Sequence, residues 1–153
     1  MSQRDRIQLT DEEIRAFLER SRTIILNSNG RDGFPHPMPM FYAVEPDGAI
    51  VMTTYRKSQK ILNLRRDPRV SLLVEDGEAY SELRGVVLYG VAELIDDTDV
   101  VVAFLAAISA QRGEGADASE AALAGRQKMA SKRTGIRVRP ERIVSWDHGK
   151  LVG

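Results

Sequence analysis

The sequence predicts a mostly β protein with flanking helices, folded as a closed or split β-barrel. The predicted strands mostly follow one another through short connections, as antiparallel strands do, whereas parallel strands would each need a crossover helix. The longest predicted strand, Leu83 to Ile95, contains Gly85 and Gly90. Glycines inside a strand are typical of the bulges and bends that allow a sheet to close into a barrel.

Length and composition favour one soluble domain over residues 1–153. A chain of 153 residues can bury about two-thirds of its unfolded surface around a single core. The formal net charge is zero, so neither nucleic acid nor a membrane surface is expected as a partner. The chain contains no cysteine, which excludes a disulfide framework and a thiolate metal site. No apolar run is long enough to span a bilayer, and we expect a cytoplasmic protein.

The first elements should be a helix and a hairpin. Thr10 and Glu13 have the spacing of a capping box, which predicts the start of a helix that packs through one apolar face. Residues 23–28 predict a strand, and the two glycines within residues 29–33 supply a turn. A return strand is then predicted over residues 34–44.

The return strand alternates proline with larger side chains. Pro35, Pro37 and Pro39 share one parity of the strand. Because proline cannot donate to a β-ladder, this stretch should lie at a sheet edge, at a bulge or against a ligand.

Residues 50–75 predict a strand, a basic loop, a short helix and a second strand. Ser58 is the expected N-cap, with its hydroxyl accepting a hydrogen bond from a first-turn N–H group. Pro68 should end the helix by disfavouring α geometry at Asp67.

The N-terminus of this helix is chemically suited to a phosphate. Free N–H groups and the positive end of the helix dipole attract anions. Cationic and hydroxyl side chains surround it, namely Thr53, Thr54, Arg56, Lys57, Ser58 and Lys60. A solvated basic loop that only keeps a sheet edge soluble would have the same composition.

The C-terminal half should contain two helices and two short strands. The acidic run at residues 96–99 predicts the cap of one helix, and a second helix is predicted over residues 119–133. Residues 135–138 and 143–146 alternate as strands do, and Pro140 is predicted to separate them.

The segment from Thr53 to Val70 follows the pattern T-T-x-x-x-S-x-K-x-x-N-L-x-x-D-P-R-V. It resembles the cofactor-phosphate segment of the pyridoxamine 5′-phosphate oxidase-like split β-barrel flavoproteins. The resemblance is strongest to their flavin/deazaflavin-dependent oxidoreductase branch, many members of which use coenzyme F-420. The element order agrees over most of the chain, but the specific motif is confined to residues 50–74.

This resemblance implies an FMN-binding type of split barrel that forms a homodimer, with the cofactor at the subunit interface. It implies F-420 as the cofactor, with FMN as the alternative, and hydride transfer from the reduced cofactor to a small unsaturated organic acceptor. The cofactor would carry the chemistry, so no catalytic residue of the chain is assigned. The same scaffold also serves non-catalytic cofactor-binding proteins, so the fold alone does not determine the activity.

The resemblance also implies the cofactor-binding residues. Lys60 would be the main phosphate ligand, while Arg56 and Lys57 could instead contact an acidic tail such as the polyglutamate of F-420. Pro39 and Met40, and with them Met38, would contact the cofactor ring. The expected set is Thr53, Thr54, Arg56, Lys57, Ser58, Gln59, Lys60, Pro39, Met40 and Trp146.

The resemblance further implies that residues near the C-terminus could complete the site of the other subunit. Trp146, His148 and Lys150 are candidates for this role, and Arg84 is a weaker candidate for an anion contact. Trp146 could equally be a buried aromatic residue at the end of its strand.

Overall fold

The computed structural model describes residues 1–115 and 117–152, and these residues form an antiparallel sheet with helices against it. The strands occur in the sheet in the order β2-β1-β5-β6-β7-β4-β3. They are β1 (Thr23–Asn29), β2 (Pro35–Phe41), β3 (Ala43–Val44), β4 (Ile50–Tyr55), β5 (Arg69–Asp76), β6 (Arg84–Ile95) and β7 (Arg133–Asp147). The helices are α1 (Gln3–Arg6), α2 (Asp11–Arg20), α3 (Gln59–Arg66), α4 (Thr98–Gln111) and α5 (Glu120–Ala130), with short 3₁₀ turns at Tyr80–Glu82 and His148–Leu151.

The sheet curls into a split barrel, as the sequence predicts. Strands β2 and β3 lie at opposite ends of the strand order, yet only Tyr42 separates them along the chain. The two edges of the sheet must therefore lie close together. The prediction of one strand over residues 34–44 is wrong, because the chain passes from one edge of the sheet to the other at Tyr42 and forms two strands. The buried Tyr42 hydroxyl donates to the Leu18 carbonyl at 2.5 Å, and burial raises its pKa.

The barrel interior is an apolar core to which every strand except β3 contributes a buried side chain. Helix α3 closes it with Ile61 and Leu64, both at most 1% exposed. Helix α2 begins at the predicted capping box and buries Ile14, Phe17 and Leu18, which confirms its packing role. A smaller cluster lies on the other face of β4, where Phe104 and Ile108 of α4 cover Val51.

Several local predictions are confirmed. Within the described residues, the proline-rich β2 is an edge strand that pairs with β1 alone. Helix α3 ends at Arg66 with Asp67 as its C-cap, before Pro68, and Asp97 caps α4. Helix α1, with a capping box of Ser2 and Asp5, was not predicted. Among the described residues, no helix is both long and apolar enough to cross a membrane.

Strand β7 corrects the prediction of two short strands. It runs unbroken for 15 residues and pairs with β6 along its length. Gly90 lies opposite Pro140 and Tyr89 opposite Arg142, so Glu141 is the extra residue of a bulge. The ladder is already interrupted there, and proline is therefore tolerated inside a long strand.

Candidate functional site

The pairing of β4 with β7 brings the basic loop beside a distant part of the chain. Thr54 lies opposite Thr134, and Tyr55 lies opposite Arg133. The loop is fixed by two backbone bonds, from Ser58 N–H to the Tyr55 carbonyl at 3.0 Å and from Arg56 N–H to the Lys132 carbonyl at 3.0 Å. The end of β4, the N-terminus of α3 and the start of β7 therefore form one surface.

Ser58 has the extended backbone of an N-cap, but its side chain makes no capping bond. Its hydroxyl instead lies 3.5 Å from the Thr54 hydroxyl. The predicted side-chain cap is wrong, because the hydroxyl turns toward β4. The first-turn N–H groups of α3 are consequently not occupied by this serine and are available to an anion.

Lys60 and Arg133 place two positive charges at this helix end. Burial lowers the pKa of Lys60, and the positive charge of Arg133 lowers it further. None of the ion pairs among the described residues, each defined by an N–O distance within 4.0 Å, includes either residue. Two partly buried cations without a carboxylate are the environment that a phosphate would neutralise.

The Arg133 guanidinium is held in place from two sides. Its Nη1 donates to the Thr53 hydroxyl at 3.3 Å, and its central carbon lies 4.6 Å from the centroid of the Tyr55 ring. Its Nε atom is buried and has no hydrogen-bond partner within the part of the chain that the structure describes. A buried donor of this kind normally has a partner, and a bound anion could supply it.

Arg133 was not predicted as a site residue. The sequence places it at the end of the second C-terminal helix, whereas α5 ends at Ala130 and Arg133 begins β7. The alternating residues that follow it could have shown where the strand begins. They could not have shown that this strand pairs with β4, because the pairing of strands that are distant in sequence depends on the fold of the whole sheet.

A second group of cations continues from this end of α3. A cleft of about 550 Å³ is lined by Tyr55, Arg56, Lys57, Ser131 and Lys132. Arg56 is engaged at one side by Asp96, at 3.3 Å from Nε to Oδ1. Lys57 and Lys132 are exposed and take part in none of the ion pairs found among the described residues.

Asp96 anchors the far side of this surface. Its Oδ1 accepts a hydrogen bond from the buried Thr134 hydroxyl at 2.6 Å, and its Oδ2 lies 3.5 Å from Arg65 Nη2. The Thr134 bond is the largest cause of the lowered pKa of Asp96, and the charges of Arg56 and Arg65 contribute. This carboxylate therefore stays ionised and fixes the position of Arg56.

Comparison with known proteins identifies the family. Residues 10–147 match the family model for pyridoxamine 5′-phosphate oxidase, which is most of the chain. The chain belongs to this family. The conserved hypothetical protein Rv2991 from Mycobacterium tuberculosis is 39% identical, with 100% of this chain and 94% of that chain covered and a TM-score of 0.90.

More distant structures share the split-barrel fold. A putative 5-nitroimidazole antibiotic resistance protein from Bacteroides thetaiotaomicron is 14% identical, with 91% of this chain and 84% of that chain covered and a TM-score of 0.75. An F420 reductase is 23% identical, with coverages of 84% and 93% and a TM-score of 0.63. At these identities the likeness shows the fold alone.

In this pyridoxamine 5′-phosphate oxidase family member, the two predicted ring contacts point to opposite faces of β2. Met40 is 9% exposed and belongs to the barrel core, while Pro39 is exposed and lies opposite Ile25 on the other face. Met38 shares the face of Met40. Gln59 lies at the helix N-terminus and donates from Nε2 to Asn63 Oδ1 at 2.9 Å.

The structure does not bring Trp146 near Lys60 within one chain. Trp146 lies near the far end of β7, thirteen residues beyond Arg133, which is roughly 40 Å along an extended strand. Its ring packs over Gly85, where a methyl group would overlap it. The glycine therefore accommodates the tryptophan rather than marking a bulge.

The other predicted residues at that end have local partners. Arg84 Nε lies 3.0 Å from Asp76 Oδ1, and His148 Nδ1 lies 2.9 Å from the Tyr80 carbonyl. Lys150 donates to the Glu13 carboxylate at 2.6 Å. Within one chain, these residues stabilise the C-terminus instead of the anion-binding surface.

Proposed function

We propose that this protein is an oxidoreductase that binds coenzyme F-420 and uses it to reduce a small unsaturated organic acceptor. The residues present fit such a cofactor. Lys60, Arg133 and the N-terminus of α3 would hold its phosphate, and that phosphate would give the buried Arg133 Nε an acceptor.

The observation that favours F-420 over FMN is the cationic cleft beside the phosphate position. FMN ends at its phosphate, whereas F-420 continues into an anionic polyglutamate tail. Lys57 and Lys132 line that cleft together with Arg56. A polyglutamate tail that extends from the phosphate into this cleft would contact these cations, whereas FMN has no group that reaches them.

When bound, reduced F-420 supplies the hydride. The chain's own contribution is binding and orientation. Lys60 and Arg133 fix the phosphate end, Thr53 positions Arg133 through its hydroxyl, and Asp96 holds Arg56 at the edge of the cleft. No side chain is assigned as a proton donor, and the proton that completes the reduction after hydride transfer would come from water.

We further propose that the cofactor site is completed in a homodimer in the cytoplasm. On the face of the sheet away from the core, five residues that lie opposite one another on neighbouring strands are all apolar. They are Pro39, Ile25, Leu73, Val87 and Val144. Pairing two such faces would bury them. It would also allow Trp146 of one subunit to approach the cofactor of the other.

A glutamate at Val87, one of the five apolar residues on that face, should break the proposed dimer. Sedimentation equilibrium of the wild type and of Val87→Glu measures the effect, with Glu93→Gln as an exposed control on the same strand. A wild-type protein that stays monomeric at micromolar concentration would contradict the dimer.

The function is tested by fluorescence titration of the purified protein with F-420 and with FMN. Lys60→Ala should weaken binding of either cofactor by about 1.5–3 kcal/mol, or roughly 10- to 150-fold, because a charge-assisted contact is lost. The double variant Lys57→Ala/Lys132→Ala should weaken F-420 binding alone. Lys128→Ala removes one charge from an exposed part of α5 and serves as the control for Lys60→Ala.

The possible outcomes separate the hypotheses. Tighter binding of FMN would make the protein a flavin oxidoreductase, and binding of neither cofactor would refute the proposal. Tight F-420 binding without oxidation of the reduced coenzyme by any acceptor in a panel of enones, quinones and nitroaromatics would indicate a non-catalytic binding protein.

A further inference from the structure

A second cleft lies between the β1–β2 hairpin and the exposed face of α3. Its volume is about 800 Å³, within the range of small-molecule sites. Residues 30–32 and 34–36 of the hairpin line one wall, and Gln59, Leu62 and Arg66 line the other. Gln59 adjoins Lys60, so this cleft begins where the candidate phosphate site ends.

The floor of the cleft is fixed by a chain of side-chain hydrogen bonds. Gln59 donates to Asn63 at 2.9 Å, and Asn63 donates to the Ser28 hydroxyl at 3.0 Å. Ser28 lies opposite His36 in the β1–β2 ladder. Arg66 also donates to the Asn29 carbonyl, which ties the end of α3 to the hairpin. The two walls are therefore held at a set separation.

The basic side chains of this cleft are in no ion pair with a carboxylate among the described residues. The Nδ1 atom of His36 is buried and makes no hydrogen bond in the described ranges 1–115 and 117–152. Arg31 and Arg66 take part in none of the ion pairs found among those residues. The one carboxylate in the lining, Asp32, accepts from the Phe34 N–H at 3.0 Å as part of the turn. The cleft is consequently positive and rich in donors.

The rim of the cleft is apolar. Phe34 is 73% exposed and Leu62 is 52% exposed, one on each wall. Exposed large apolar side chains facing one space favour a flat apolar ligand between them. The cationic groups call for an oxygen-bearing end on the same ligand.

We propose that this cleft is the acceptor site and that its ligand is a planar conjugated carboxylate. The carboxylate lies toward Arg31, Arg66 and the His36 ring, and the conjugated body lies between Phe34 and Leu62. This assignment rests on the proposed function, since it names the class of acceptor that the reduced cofactor would serve. His36 acts here as a ligand-binding residue.

The chain contains two histidines, His36 and His148, which makes the proposal testable by proton NMR of their ring resonances. The probe is trans-cinnamate, added to the full-length protein without cofactor, and His36→Gln assigns the two signals. Cinnamate should shift the His36 resonances saturably and leave those of His148, at the opposite end of the barrel, unchanged. Because no cofactor is present, this result does not depend on the F-420 proposal.

Two comparisons sharpen the test. Arg31→Gln should raise the apparent Kd for cinnamate about fivefold or more, while Arg4→Gln, an exposed charge on α1, should leave it unchanged. The uncharged cinnamamide should bind at least fivefold more weakly than cinnamate. Equal effects of the two variants would overturn the assignment of the carboxylate end.

Three results would contradict the site itself. They are no shift of His36 at millimolar cinnamate, equal shifts of both histidines, and displacement of cinnamate by saturating F-420 or FMN. Displacement would show that the cofactor occupies the cleft, because an acceptor site must accommodate its ligand beside the cofactor. Failure of cofactor binding with an intact cinnamate response would refute the F-420 proposal, and with it the acceptor role, but would support the cleft as a carboxylate-binding site.

Discussion

Cations lie at both ends of β7, at the near end where Arg133 begins the strand and at the far end around Trp146. The far-end cations Arg84 and Lys150 are paired with carboxylates, whereas at the near end Asp96 pairs with Arg56 but not with Lys60 or Arg133. At the far end, Arg84 pairs with Asp76 at 3.0 Å and Lys150 with Glu13 at 2.6 Å. At the near end, the charge of Arg133 lowers the pKa of Lys60, and no ion pair among the described residues includes either side chain. Cations thus serve two purposes in this protein, because a paired cation completes the fold and an unpaired one is left for a ligand.

The pKa directions agree with this comparison. Burial and the charge of Arg133 lower the pKa of Lys60, so the near end disfavours its own positive charge. At the far end, the hydrogen bond from Lys150 is the largest cause of the lowered pKa of Glu13, and the Thr10 N–H contributes. The far end therefore favours the charged state of Glu13.

The greatest loss of stability should come from altered packing at the far end. Gly85→Ala places a methyl group where the Trp146 ring lies. The free energy of unfolding should fall by about 1–3 kcal/mol, because the ring must leave its position. Urea unfolding with tryptophan fluorescence measures the change, since Trp146 is the only tryptophan.

A matched glycine provides the control. A methyl group at Gly125 in α5 meets nothing within 4 Å, so Gly125→Ala should stabilise the protein by about 0.5–1 kcal/mol. Cofactor affinity should be unchanged in Gly85→Ala if the tryptophan has only a packing role. A loss of affinity in that variant would instead bring the far end into the cofactor site.

A smaller effect is expected from the anchor of the near end. Thr134→Val removes the bond from the Thr134 hydroxyl to Asp96. The free energy of unfolding at pH 7 should fall by about 1 kcal/mol, less than for a fully buried charged bond, because the Asp96 side chain is 50% exposed and water can replace the donor.

This loss should depend on pH in a definite direction. The folded state lowers the pKa of Asp96 below its ordinary value of 3.8. The ionised carboxylate therefore stabilises the fold above pH 3.8, and this stabilisation is lost as the pH falls below 3.8 toward the lowered pKa. The difference between Thr134→Val and the wild type should therefore shrink at acid pH. A difference that is constant from pH 7 to pH 3 would point to lost packing instead.

The elements that could be predicted are those with local signals. The capping box at Thr10, the acidic cap at Asp97 and the helix end before Pro68 depend on residues within one turn of each other. The unbroken β7 and the division at Tyr42 depend on which strands pair, and pairing is decided by the whole sheet.

The candidate site divides in the same way. Lys60 could be found because it lies in a local motif, whereas Arg133 joins it only through the register of β4 with β7. The Ser58 cap was predicted from its position, but Thr54 on the preceding strand offers the hydroxyl another partner. Local patterns give the type of residue at the site, and tertiary pairing decides which charges meet.

The smallest expected effect tests the comparison of the two ends directly. Lys60→Met keeps the length of the side chain and removes its charge. At pH 7 the free energy of unfolding should rise by up to about 0.5 kcal/mol, because a cation that the folded state disfavours is gone. Lys150→Met should lower the stability, because Glu13 loses its partner.

The sign of the pH dependence decides whether the reason is right. The folded state lowers the pKa of Lys60 below 10.5, so between the folded and unfolded values the unfolded chain binds more protons. As the pH rises toward 10.5, the free energy of unfolding of the wild type should therefore increase relative to that of Lys60→Met. Urea unfolding of both proteins from pH 7 to pH 10 measures the difference. If Lys60→Met is less stable than the wild type at pH 7, the folded near end does not disfavour the positive charge of Lys60. The unpaired charge of Lys60 would then be no evidence that this end binds an anion.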